Sequence, residues 1–330
     1  MGTRLRPLTD ATPKQLLPVM GVPMIERVLD ALRPHGVDRA VLSLGYLPDA
    51  FLEAYPDQVI AGIDVSFAIE SEPLGTAGAI RFAAADAGID ETFIVVNGDV
   101  LTDLDVAGLV GTHRSLGLEG TIALTPVADP SAYGVVVTDP AGFVEAFVEK
   151  PPAGSAPSNN INAGTYVLEP AFLERVPSAG SVSIEFDTFP QMVRDRALGA
   201  MLDTSYWLDA GTPPSYVQAH LDVLAGRHAL ALPDPVVDGC LVRRGAHVAD
   251  SALVAASYVG SGSVVREGAS ITRSVVLDGA TIEAGAVVEG SIVGWDAVVG
   301  AGSSLAPITI VGPHAKVAPC GHHEGERIPA

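Results

Sequence analysis

Two textures of apolar residues divide the chain. In the first, Ile25, Val28, Leu29 and Leu32 recur on one helical face, and Pro34-His35-Gly36 stops that helix. The run Ala40-Val41-Leu42-Ser43-Leu44 predicts a buried strand, followed by a short helix over 48–55, a strand over 65–69, a helix over 76–87 and a strand over 92–96. Strands alternating with helices of this length need crossover connections, so the pattern predicts an α/β layer around a mixed, mainly parallel sheet. From Gly120 to Leu168 strands dominate, over 121–127, 134–138, 143–149 and 161–168, with a turn at Asp139-Pro140-Ala141-Gly142 and a Pro/Ser/Gly/Asn loop over 151–159. Helices over 170–175 and 213–224 flank Tyr206-Trp207-Leu208-Asp209-Ala210-Gly211, and this first domain, 1–231, then closes.

From about Val236 the second texture begins, with short β-branched steps separated by glycine. Leu253, Val259, Val265, Ile271 and Leu277 stand six apart; after one shift of register so do Val287, Val293, Val299, Leu305, Val311 and Val317. A hexapeptide period marks a parallel β-helix whose periodic apolar residue points inward, whereas a β-sandwich would alternate with a period of two. The expected second domain is 236–320, followed by a tail at 321–330.

The first texture ought to open with a strand, yet the chain starts directly in a polar loop. In open parallel sheets ligands bind beyond the carboxyl ends of strands, and a glycine-rich phosphate loop follows the first one. The expectation is that this first strand is missing and that Met1 is an internal methionine of a longer natural protein.

Charge narrows the partners. A formal net charge of -20 over 330 residues opposes a nucleic-acid surface or an anionic membrane, so a phosphate ligand has to be held by local cations and a metal. No apolar run approaches the roughly 18 residues that span a bilayer, and no hydrophobic signal core opens the chain. Cys240 and Cys320 form no spacing motif, as expected of a reducing, cytoplasmic setting.

Against that background the cations stand out. The opening Gly2-Thr3-Arg4-Leu5-Arg6-Pro7-Leu8-Thr9, with Pro13-Lys14, sets glycine, guanidinium and ammonium groups in one loop, the combination that suits a polyphosphate. The only lysines are Lys14, Lys150 and Lys316, and the first two sit in motif-like settings. Asn97-Gly98-Asp99 follows a strand, where a carboxylate can hold magnesium against phosphates, and Asp209 is a second candidate of that kind. Glu70-Ser71-Glu72-Pro73-Leu74-Gly75-Thr76 precedes a helix, with Gly75 letting backbone approach a flat ring and Thr76 as the expected cap. Glu149 beside Lys150, Asn162-Ala163-Gly164 and Glu185 supply polar groups at element ends, apt for sugar hydroxyls.

In their order along the chain, G-T-R-L-R-P-L-T with P-K, E-P-L-G-T-A-G, N-G-D-V-L, F-V-E-K-P, I-N-A-G and W-L-D-A-G-T-P resemble the sugar-1-phosphate nucleotidyltransferases, most of all the mannose-1-phosphate guanylyltransferase branch. The resemblance implies a Rossmann-like nucleotidyltransferase domain followed by a left-handed parallel β-helix. It implies that Gly2, Thr3, Arg4 and Lys14 grip a triphosphate, that Gly75 meets the base, and that Asp99 and Asp209 are ligands of Mg2+. Glu149, Asn162 and Gly164 would contact the sugar and Lys150 its phosphate. Glu70, Asn97 and Gly98 are counted with the nucleotide, Gly134 and Glu185 with the sugar. The expected partners are an NTP and a sugar 1-phosphate, with a homo-oligomer through the β-helix. Thymidylyl or uridylyl transfer, a non-catalytic regulatory subunit, and an acyltransferase using His247 or His314 are the competing readings.

Overall fold

The computed structural model describes residues 3–330, so Gly2 of the expected phosphate loop lies outside the described residues. Packing divides the chain into two compact units, Val28–Trp207 and the residues up to Arg27 together with Leu208–Ala330.

The unit Val28–Trp207 is built on a sheet of six strands. Val144–Glu149, Gly134–Thr138, Asn160–Leu168, Gly120–Pro126 and Leu198–Leu202 lie in that spatial order, and Phe93–Val96 also pairs with Asn160–Leu168. The sheet is mixed. Leu198–Leu202 runs parallel to Gly120–Pro126, as Arg39–Leu44 does to Ile63–Ile69 in a smaller sheet. Antiparallel pairs are more frequent than strand–helix alternation suggests, because the turn at 139–142 returns the chain on itself and Asn160–Leu168 runs against three neighbours. Ile122, Leu124, Val136, Leu168, Phe172, Phe189 and Met192 bury the face between this sheet and its helices. Each such side chain contributes about 2 kcal/mol relative to exposure.

The sequence pattern did not show the helices Val106–Leu116 and Phe189–Arg194 or the strand Leu198–Leu202, nor shorter strands such as Val100–Thr102. The first carries two glycines and little amphipathic contrast, so tertiary contacts have to supply its stability. Asp105 caps it by accepting from the Gly108 amide at 2.9 Å. Its buried His113 bridges Thr121 and Glu169, each at 2.9 Å.

In the other unit, three parallel sheets of six, five and five short strands make a three-sided solenoid of about five coils. Paired residues such as Leu241, Tyr258, Val275 and Ile292 stand 17 apart. A 17-residue coil holds steps of six, six and five, so a strict period of six drifts off the inner face. The interior is lined by Val259, Val265, Ile271, Val276, Ile282 and Val288. Leu253 (56 % exposed) and Val287 (42 % exposed) therefore point outward, contrary to the expectation for them. One coil is longer: Ile292 pairs with Ile310, 18 residues on, and the added residue is taken up near Ile308, which stands out at φ 71°. From Val293 onward the six-residue spacing accordingly holds. The expected tail does not exist as such, because His322–Glu324 and Arg327–Ile328 continue the solenoid sheets.

One outer face of the solenoid differs from the other two. From Leu241 through Tyr258, Val275, Ile292 and Ile310 its outward residues are apolar and at most 1 % exposed, and only Arg327 at the last strand is exposed. Their counterparts on the other faces, such as Thr281, Lys316, Ser270 and Ser304, are half-buried or exposed. Elements of the same unit lie against the covered face: the His220 ring of helix Pro213–Leu224 is 5.5 Å from Tyr258, and Pro7 of the opening loop abuts Gly312.

Candidate active site

The candidate sugar residues of Val28–Trp207 gather where strand Asn160–Leu168 bulges. Between Asn162 and Tyr166 the strand advances four residues while its partner advances two, Leu124 to Ile122. Bulges of this kind re-aim side chains beside active sites. Here the Asn162 amide donates to the Tyr166 hydroxyl at 2.9 Å while its oxygen accepts from the Gly164 N–H at 3.0 Å. Gly164 is left-handed at φ 78°, its carbonyl accepts from the backbone N–H of Asn97 at 2.9 Å, and a Cβ there would lie 2.5 Å from Asn97 Nδ2. Asn97, Asn162 and Gly164 are thus brought together as one hydrogen-bonded set.

Tyr166 was not legible as a site residue. Burial pushes its phenol well above the ordinary range, the Asn162 hydrogen bond works against that, and the carboxylates of Glu185 and Glu149 raise it further. Both acids therefore lie within electrostatic range of the same hydroxyl. Glu149 pairs across the hairpin with Gly134, where a Cβ would stand 2.7 Å from Glu149 Oε2 and 2.6 Å from Phe147; glycine at 134 makes room for the acid. Glu149 is 9 % exposed and accepts from Lys150 Nζ at 2.5 Å, while the Lys150 side chain is 62 % exposed. Lys150 holds the left-handed conformation at φ 46°, its amide donating to Tyr133 O at 3.0 Å. Tyr133 stacks edge-on against Trp207, whose indole N–H donates to Ala163 O at 2.8 Å. Amides, hydroxyl, paired acid and exposed ammonium in one cluster suit a polyol bearing an anionic group.

The turn before helix Gly75–Ala87 is organised differently from expectation. Glu70 closes that turn: its carboxylate accepts from Ser43 Oγ at 2.8 Å and from the Leu74 amide at 3.1 Å. Gly75, at φ 75°, is required by Val182, whose carbonyl oxygen would lie 2.5 Å from a Cβ. Thr76 is not the cap. Its hydroxyl accepts from the Ile184 amide and donates to Glu185 Oε2, both at 2.7 Å, and so ties the helix start to the turn that holds Glu185. The missed signal was nonlocal, since Thr76 and Glu185 are 109 residues apart.

Asp99 is half-buried in the turn joining strands Phe93–Val96 and Val100–Thr102, after Gly98. Arg4, Lys14 and Asp209 belong to the other unit. Arg4 is exposed in the single turn Thr3–Leu5, and Lys14 begins the turn Lys14–Leu16 behind buried Pro13. Leu5, Leu8 and Leu17 anchor this loop with no exposed surface. Asp209 ends strand Trp207–Asp209 and accepts from the Gly211 amide at 2.8 Å. Among the described residues no three His, Cys, Asp or Glu side chains cluster to hold a metal by themselves. Single strand-end carboxylates are hard oxygen donors, and a divalent ion held by one or two of them with substrate phosphates fits that donor set.

A mixed sheet with polar motifs at its strand ends, joined to a parallel solenoid, defines a class that comparison confirms. Residues 1–226 match the family model described as nucleotidyl transferase, and residues 236–328 match that of the GMPPB C-terminal domain. The chain belongs to the nucleotidyl transferase family.

Within it, the relatives point one way. The chain is 38 % identical over 323 residues to a protein of Oryza sativa subsp. japonica named "Probable mannose-1-phosphate guanylyltransferase 3", covering 94 % of this chain and 88 % of that one. It is 37 % identical over 276 residues to the mannose-1-phosphate guanylyltransferase of Mycobacterium tuberculosis, covering 82 % and 74 %. The crystal structure of HddC from Yersinia pseudotuberculosis complexed with GMP-PN superposes with a TM-score of 0.56 at 31 % identity, over 67 % of this chain and 94 % of that one. No helix among the described residues is long and apolar enough to cross a membrane.

Proposed function

We propose that the chain transfers a guanylyl group from GTP to mannose 1-phosphate, yielding GDP-mannose and pyrophosphate. The chemistry rests on the cluster of Asn162, Tyr166, Glu149 and Lys150, which offers a sugar its hydroxyl partners and its phosphate a cation. The choice of guanine and mannose rests on the names of the relatives, which accompany both family matches.

A phosphate oxygen of the sugar substrate attacks the α-phosphorus in line; the new P–O bond forms as the bond to the bridging oxygen of pyrophosphate breaks. The nucleophile is already an anion, so no general base is needed, and the protein's task is to bring like charges together. Thr3, Arg4 and Lys14 hold the triphosphate and the charge that builds on the leaving group. Lys150 holds the sugar phosphate, with Glu149 keeping its ammonium near the sugar until substrate competes for it. Gly75 and Glu70 shape the turn toward the base, and Gly98 lets the chain carry Asp99 past Asn97. Gly134 and Gly164 open space for Glu149 and Asn97, and Glu185, latched to Thr76, meets sugar hydroxyls. Asp99 and Asp209 would hold Mg2+, which when bound neutralises phosphate charge. The protein acts in the cytoplasm and assembles as a homo-oligomer through the solenoid, a state that light scattering reads directly.

Pyrophosphate release from GTP, ATP, UTP and dTTP, each offered mannose or glucose 1-phosphate, tests the reading. Turnover is expected with GTP and mannose 1-phosphate. A preference for dTTP or UTP with glucose 1-phosphate overturns the substrate assignment, and a folded protein inert toward every pair overturns catalysis in favour of a regulatory subunit.

A further inference from the structure

The geometry points to the covered solenoid face as the device that positions the phosphate loop, making Gly312, Arg243 and Tyr258 positioning residues for the transfer; the loop's catalytic role rests on the function proposed above. The first observation is the asymmetry of the solenoid itself. On one face only, from Leu241 to Ile310, outward residues are apolar and buried, although all three faces are built by the same coil. That face is made to be covered.

The second observation is what lies against it. A Cβ at Gly312 would stand 2.8 Å from Pro7 Cγ and 3.2 Å from Pro7 Cβ. Gly312 is not left-handed, so backbone conformation does not demand glycine there. The coil accepts a side chain at this place in some turns, Arg243 in one and Leu277 in another, while Gly260 and Gly294 hold it in two more, close against the backbone of the next coil. At Gly312 the nearest atom is Pro7 Cγ, closer than the Ile328 carbonyl of the next coil at 3.1 Å, so the loop adds its own exclusion of a side chain to that of the coil.

The third observation concerns the other end of the loop. The hairpin that follows it, Pro18–Val19 with Val22–Pro23, turns at Gly21, φ 80°. A Cβ at Gly21 would collide with Arg243 Nη1 and stand 2.8 Å from Tyr258 Oη. Arg243 is itself fixed by Asp234, Nε to Oδ2 at 2.8 Å. Tyr216 of helix Pro213–Leu224 donates to Pro18 O at 2.5 Å. Residues 8–17, with Lys14 among them, are therefore pinned at both ends, at Pro7 and at 18–21. A loop ordered in advance loses less conformational freedom when it grips a polyphosphate. The solenoid thus acts on the reaction without touching a reacting atom.

The experiment compares wild type, Gly312→Ala, Pro7→Ala and the double variant in the full chain, with Ser270→Ala on an uncovered face as control. Amide hydrogen exchange over 5–17 is read without ligand, and KM for GTP and kcat with it. Gly312→Ala is expected to speed exchange in that segment and to raise KM for GTP, each roughly tenfold, with kcat changed less. Removing Pro7 Cγ relieves the contact, so the double variant returns to within about threefold of Pro7→Ala alone, which a solenoid folding defect would not do. Unchanged exchange over 5–17 in Gly312→Ala, or a double variant no better than Gly312→Ala, overturns the proposal. If wild type shows no turnover while exchange responds, the function is overturned and the bracing stands. Where Gly312→Ala is insoluble, Arg243→Met is read by exchange over 18–24: a rise supports the bracing and no change overturns it.

Discussion

Gly164→Ala isolates the contact on which the bulged strand depends. Glycine at φ 78° lies in the left-handed region, where alanine costs about 1–2 kcal/mol. The added Cβ would meet Asn97 Nδ2 at 2.5 Å, Cγ at 2.9 Å and Cβ at 3.3 Å. Ordinary carbon contacts begin near about 3.5 Å, so the Asn97 side chain has to retreat by roughly 1 Å. The backbones cannot part to make room, because the Asn97 N–H donates to the Gly164 carbonyl at 2.9 Å, so the side chain itself has to turn away. Asp99 lies two residues on in the same turn and moves with it. A misplacement of about 1 Å costs on the order of a hundredfold in rate, and about 2 kcal/mol lowers the melting temperature by roughly 4–8 °C. Calorimetry and pyrophosphate release at saturating magnesium read the two effects separately. In Asn97→Ala/Gly164→Ala the clash is gone and only the backbone cost remains, so about half the loss in melting temperature returns. Turnover within threefold of wild type in Gly164→Ala, measured on protein whose melting temperature has dropped as expected, would refute the coupling of this contact to the site.

Other substitutions probe single roles. Asp99→Asn and Lys150→Ala should each lower turnover by roughly a thousandfold with unchanged circular dichroism, the first also weakening the dependence on magnesium concentration; retained pyrophosphate release in both purified variants removes these assignments. Tyr166→Phe strips the Asn162 amide of its partner and should cost about 1 kcal/mol of stability, with a severalfold rise in KM for the sugar phosphate and little change in KM for GTP. Burial holds His220 at about 4, below its ordinary 6.5, with its hydrogen bond to Tyr216 opposing and the charge of Arg27 assisting. Between those values the unfolded chain binds a proton that the folded chain does not. Stability therefore falls as pH drops from 6.5 to 4, by about 3 kcal/mol in the limit, and is flat with respect to this group above 6.5. Urea midpoints across that range should show a slope that His220→Phe removes; an equal slope in the variant would place the titration elsewhere.

Local chemistry was legible wherever a feature needed only its neighbours in the chain. Helix Pro213–Leu224 begins and ends where its pattern says, because Thr212 and Ser215 form a capping box around Pro213. Strand Gly134–Thr138 and its turn were equally plain, as were the six ordered motifs and the existence of a solenoid. The coil length was not legible, since 17 residues per coil is a property of stacked strands, and a six-residue period read along the chain misplaces Leu253 and Val287. Nor could neighbours in sequence reveal that Thr76 serves Glu185, that Glu70 takes the Ser43 hydroxyl, or that Glu149 and Glu185 come within electrostatic range of Tyr166. Period, cap and turn are set by interactions over a few residues, and the amino-acid order alone determined them. Which carboxylate is already engaged, which face of a coil is covered and which glycine stands against a distant side chain depend on segments far apart in the chain meeting in space, and only the tertiary structure decided those.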